Sequence, residues 1–124
     1  MTTETVSGSI PDGDLGRDHT TRVHDARGAC QRCIDQVPAV ATPLLATLET
    51  DLRAVLASLA ADVPTPEDFE RAIQLAQQII DRVNGMQQQD ASWYRENWSF
   101  RSDLAVLLEN IQLAQVEPLG TREY

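Results

Sequence analysis

Apolar residues recur at steps of three and four through residues 23–114, in four successive ladders, and this period decides the fold class before any motif is considered. The ladders are Val23, Ala26, Cys30, Cys33 and Val37; Leu45, Leu48, Leu52, Val55 and Leu59; Phe69, Ala72, Ala76, Ile79 and Val83; and Trp93, Asn97, Phe100, Leu104, Leu107, Ile111 and Ala114. A step of three or four returns to the same side of an α-helix, whereas a half-buried strand would alternate residue by residue. The chain is therefore expected to be all-α, with one side of each helix turned to a shared core. Connectors of a few residues oblige successive helices to run antiparallel, which predicts a small up-down-up-down four-helix bundle. The 124 residues suffice for one core without help from metal or disulfides.

Prolines, glycines and cap residues divide the ladders. Residues 1–18 hold Gly8, Gly13, Gly16 and Pro11 among polar and acidic residues and are expected to form a flexible, acidic, disordered N-terminal tail. The bundle domain is expected over residues 19–116, followed by a C-terminal tail at 117–124. Its first helix should start near His19 and end at Val37, because Pro38 removes an amide donor and restricts the residue before it. Thr42-Pro43 reads as cap and first residue of a second helix reaching about Ala61. Thr65-Pro66-Glu67-Asp68 opens a third, with Asp68 where a capping-box acid belongs, and Asn84-Gly85 reads as its stop. A fourth helix, capped by Asp90 or Ser92, should run to Gln115 ahead of Pro118 and Gly120.

The net charge of −9 argues against binding nucleic acid, which needs clustered positive charge to displace counterions from phosphates. No apolar run approaches the ~20 residues of a membrane-spanning helix. The start of the chain lacks the basic and apolar regions of a secretory signal, so a cytoplasmic location is the default expectation.

One local pattern carries chemical potential, Cys30-Gln31-Arg32-Cys33. Both cysteines fall on the apolar ladder, so the simplest reading is a pair of small buried hydrophobes. A zinc site would add His24 to Cys30 and Cys33, and on one helix that requires a break near Gly28. Asp12-Gly13-Asp14-Leu15 followed by Cys30-x-x-Cys33 resembles the zinc-binding anti-sigma domains over about residues 12–37. That resemblance implies a zinc-holding regulatory domain. The family's histidine, separated from the first cysteine by three residues, is replaced by Ala26, and His24 falls two residues early. A thiol oxidoreductase is a second alternative, and it would require a cysteine of lowered pKa.

No other catalytic pattern assembles, and the protein is not expected to be an enzyme. Glu-x-x-His motifs of di-iron bundles are excluded because no histidine follows His24, and no glycine-rich phosphate loop or nucleophile elbow occurs. The last helix is unusual in carrying a second apolar seam, Tyr94, Trp98, Ala105 and Leu108, interrupted by Arg101 and one residue out of phase with the core ladder. Aromatic residues and arginine are enriched at binding hot spots, so Tyr94, Trp98, Arg101 and Leu108 are the expected contacts for a protein partner or for self-association. Asn97, in core phase, is expected to need a hydrogen bond or a partly solvated position. The leading expectation is a small acidic interaction module, such as an adaptor, chaperone or regulatory subunit, with no cofactor. The zinc regulator and the thiol oxidoreductase are the alternatives.

Overall fold

A computed structural model describes the backbone over residues 11–121 and the side chains over residues 20–115. Among the described residues all regular structure is helical. The order is α1 (Pro11–Val40), a 3-10 turn (Pro43–Leu45), α2 (Leu48–Ser58), α3 (Pro66–Gln89), α4 (Ala91–Glu96) and α5 (Trp98–Thr121). α1 packs along α5 and α2, α3 packs along α2 and α5, and α4 packs against α3. The four ladders meet in one core. All their members are buried except Asn97, and Ala29, Ile34, Val40 and Met86 join them.

Several boundaries differ from those expected. α1 begins at Pro11, so the backbone of residues 11–18 is helical; the rest of the expected tail, residues 1–10, lies outside the described residues. Pro38 does not stop α1. It sits exposed one turn from the end, where its missing amide forfeits one internal bond, and the helix carries on to bury Val40. The Val40 carbonyl, orphaned at the helix end, accepts a 2.9 Å bond from the Trp93 indole of α4.

Thr42-Pro43 opens a 3-10 turn rather than a long helix, and Thr42 makes no side-chain cap bond. α2 starts only at Leu48. Its far end is held by α1, because the Arg27 guanidinium donates to the carbonyls of Leu59 (2.6 Å) and Ala61, acceptors that the terminating helix leaves free. Arg82 of α3 ties down the start of α2, with a 2.8 Å ion pair to Asp51 and a 2.7 Å bond to the Thr47 hydroxyl.

α3 opens as the sequence implied. The Thr65 hydroxyl accepts from the Asp68 amide and the Asp68 carboxylate accepts from the Thr65 amide, a complete capping box behind Pro66. It then runs through Gly85, because Met86 keeps the phase of Val83 and is 1% exposed. Asp90 is the actual stop and also caps α4, accepting from the Trp93 amide at 3.1 Å. The expected single last helix is broken at Asn97 into α4 and α5, and α5 continues past Gln115 to Thr121.

Candidate binding face on the last helix

At the break the Trp93 carbonyl keeps a 3.0 Å bond from the Asn97 backbone amide, and two side chains add donors to the last carbonyls of α4. The Asn97 amide donates to the Trp93 carbonyl at 2.9 Å, and Arg101 Nε donates to the Tyr94 carbonyl at 2.9 Å. The Arg101 guanidinium carbon lies 3.7 Å from the centre of the Tyr94 ring, in cation–π contact. Asn97 is thus half-buried and bonded, and Tyr94 and Arg101 face each other across the junction. Tyr94 and Leu108 are packed against the core, so two of the four expected partner contacts spend much of their surface inside the fold.

Trp98 differs from them. It is 65% exposed at the first position of α5, one residue beyond the break. With about 100° of turn per residue, Trp98, Ser102, Ala105, Val106, Glu109 and Leu113 share one side of α5, opposite Phe100, Leu104, Leu107, Ile111 and Ala114. Val106 is 39% exposed and Leu113 42% exposed. α5 is therefore apolar on its inner side and carries a second, outward apolar stripe anchored by a tryptophan. A helix apolar on both sides is normally covered on both. The sequence-level seam included Trp98 and Ala105 but not Val106 or Leu113. Their spacings of eight and fifteen residues from Trp98 are the signal that would have added them. Leu44 and Val63, also exposed, stand singly in connectors and need no such explanation.

The cysteine segment is arranged for packing. α1 is continuous through Gly28, so the six residues from His24 to Cys30 leave the two about 120° apart around the helix. His24 is exposed while Cys30 and Cys33 are both 0% exposed, and the three are not brought together. Among the described residues no group of three or more His, Cys, Asp or Glu side chains is placed to hold a metal ion. The Cys30 thiol donates to the Leu52 carbonyl at 3.2 Å. Burial pushes Cys30 up to about 12, against a smaller lowering from a backbone hydrogen bond at Leu56. Burial also pushes Cys33 up to about 12, reinforced by Cys30 and Asp103 and opposed by Arg32. At pH 7 such thiols stay protonated, the opposite of what a nucleophilic cysteine needs.

His24 lines a polar cleft between α1 and α5 together with Asp25, Gly28, Arg32 and Asn110. Gly28 leaves it open, although a β-carbon there would meet only Arg32 Nη1 at 3.9 Å. Next to it, Gln36 of α1 donates to the Asp103 carboxylate of α5 at 2.7 Å, fixing the two helices.

Comparison with protein-family models, with curated proteins and with solved structures finds no match to this chain. Among the described residues, no helix is long and apolar enough to cross a membrane.

Proposed function

We propose that the protein is a small acidic interaction module, of the adaptor, chaperone or regulatory-subunit kind, that works through the outward face of α5. The observation that carries this reading is the exposed Trp98, aligned with Val106 and Leu113 on a helix whose other side already fills the core. Tryptophan is the residue type most often found at the energetic centre of an interface, and an outward apolar stripe gains free energy only when something covers it.

The same reading makes the protein cytoplasmic and assigns it no nucleic-acid or membrane partner and no catalytic step. Behind the face, α1, α2, α3 and α5 serve as an up-down-up-down four-helix scaffold. The closed sequence of contacts from α1 to α2, α2 to α3, α3 to α5 and α5 back to α1 supports that arrangement. In this scheme Tyr94 and Arg101 hold the α4–α5 junction so that Trp98 is presented at a fixed angle, and Leu108 forms the rim between stripe and core.

Photo-crosslinking from an unnatural residue placed at Trp98 in the full chain, in cells, tests the reading. Adducts should form at position 98 and at Leu113, but not at Glu70 on the exposed side of α3. Equal labelling at all three positions, or none at any, overturns it.

A further inference from the structure

The polar cleft between α1 and α5 holds charged and polar groups that the fold leaves unused. Among the described residues, the side chains of His24, Asp25, Arg32 and Asn110 make no hydrogen bond or ion pair, although each lines this cleft. We propose that the cleft binds a small dipolar molecule carrying a carboxylate and an ammonium group, of the free amino acid class. The site shares no residue with the outward stripe of α5, so it stands or falls apart from that face.

His24, Gly28 and Arg32 are spaced by four and lie one above another along α1, with Asp25 three residues before Gly28 on the same side. Gly28 has no side chain, so the middle of this row is a notch, and Asn110 faces it from α5. Packing alone does not call for glycine there. A β-carbon would fit, and alanine suits a helix interior better, so what glycine supplies is the open space. The cleft measures about 370 Å³, within the range of small-molecule sites.

Arg32 gives the site its direction. Its Nη1 lies 3.9 Å from where a β-carbon on Gly28 would stand, so the guanidinium turns back along α1 towards the notch. Arg27, Arg53, Arg82 and Arg101 each bind a carbonyl or carboxylate of the fold, and Arg32 does not. A guanidinium offers paired N–H donors that match the two oxygens of a carboxylate, and the Asn110 amide adds a donor from the opposite wall. A phosphate dianion would meet the same donors but also the Asp25 carboxylate, in a chain that carries −9, so a bare anion is disfavoured. Asp25 instead supplies the opposite pole, accepting from an ammonium group, with neutral His24 beside it as a further acceptor. Asp25 and Arg32 are about 10 Å apart along the helix axis, and the back-turn of Arg32 shortens that gap to one that a ligand with charges a few bonds apart can span. Because His24, Asp25 and Arg32 are exposed, water competes for each contact, and the dissociation constant belongs on the order of 1 mM.

Titration of the isotope-labelled full chain with L-glutamine, followed by amide chemical shifts, tests the site. Saturable shifts are expected at Gly28, Arg32 and Asn110. Acetate and methylamine, which each carry one of the two charges, should bind roughly tenfold more weakly or worse, and Arg32→Gln should weaken L-glutamine by a similar factor. Gly28→Leu, whose side chain fills the notch, should abolish the shifts with unchanged helicity. If that variant folds poorly, Asp25→Asn on the exposed surface carries the test instead, and it should bring L-glutamine down to the level of acetate. Acetate or inorganic phosphate binding as tightly as L-glutamine would make the cleft a plain anion site and overturn the dipolar ligand. No saturable shift up to about 50 mM L-glutamine, or shifts that persist in Arg32→Gln, overturns the site altogether.

Discussion

Burial is the largest influence on the chemistry of Cys30 and Cys33, and its sign can be read from stability. An ordinary thiol loses its proton near pH 8.5, whereas both folded thiols are pushed up to about 12. The unfolded chain therefore releases these protons first. The thiols' contribution to stability is whole below about pH 8.5 and is lost progressively as pH rises towards 12. Urea unfolding measured from pH 8 to pH 11 should show this decline. The double substitution Cys30→Ala and Cys33→Ala should flatten it while every other titrating group stays the same. Parallel slopes in the two proteins would mean that solvent reaches the thiols in the folded state. Arg27 illustrates the same dominance of three-dimensional context at another residue. Nothing in its sequence neighbourhood marks it, yet it caps α2 from α1 through two backbone carbonyls 32 and 34 residues away.

At the scale of elements, a start signal held where its residues bond one another within a turn, while Thr42-Pro43 opened only a 3-10 turn and the stops at Pro38 and Gly85 were overrun. Thr65, Pro66 and Asp68 act on one another within one turn, so their capping box is legible in four residues. Pro38 and Gly85 are also local signals, but each lies in a helix that continues to bury an apolar residue just beyond it. Continuing α1 buries Val40 and continuing α3 buries Met86, and burying a side chain of that kind is worth about 1.5–3 kcal/mol, more than glycine costs in a helix. Gly85 is thus an ordinary helical residue carrying glycine's penalty without using its freedom. A β-carbon there would meet only Gln89 Nε2, at 3.8 Å. Gly85→Ala should stabilise the protein by about 0.5–1 kcal/mol, seen as a higher denaturation midpoint at an unchanged m-value. A lower midpoint would mean that α3 ends at Asn84 in solution, as the dipeptide alone suggests. The break at Asn97 was hidden for the opposite reason. Trp93 and Phe100 keep one phase across it, so the core pattern is continuous where the backbone is not.

For the whole molecule, the inward half of the pattern was largely legible, since every apolar ladder residue is buried and only Ala29, Ile34, Val40 and Met86 join the core from outside the ladders. The candidate face was only partly so. On α5 the inner and outer stripes are both apolar, and a sequence does not say which stripe a neighbouring helix covers; Tyr94 and Leu108 went to the core side while Trp98 and Ala105 stayed outside. Charge adds a condition on what can cover that face. Each chain carries −9, and two such charges with centres about 25 Å apart repel by roughly 6 kcal/mol at 0.01 M salt but about 1 kcal/mol at 0.1 M. If two copies meet through this face, repulsion opposes them at low salt and is largely screened at moderate salt. In that case sedimentation equilibrium should show dimerisation strengthening by a factor of roughly 10³ between 0.01 M and 0.1 M salt. Association that weakens over the same range would mean that opposite charges, not Trp98 and its apolar neighbours, hold the complex together.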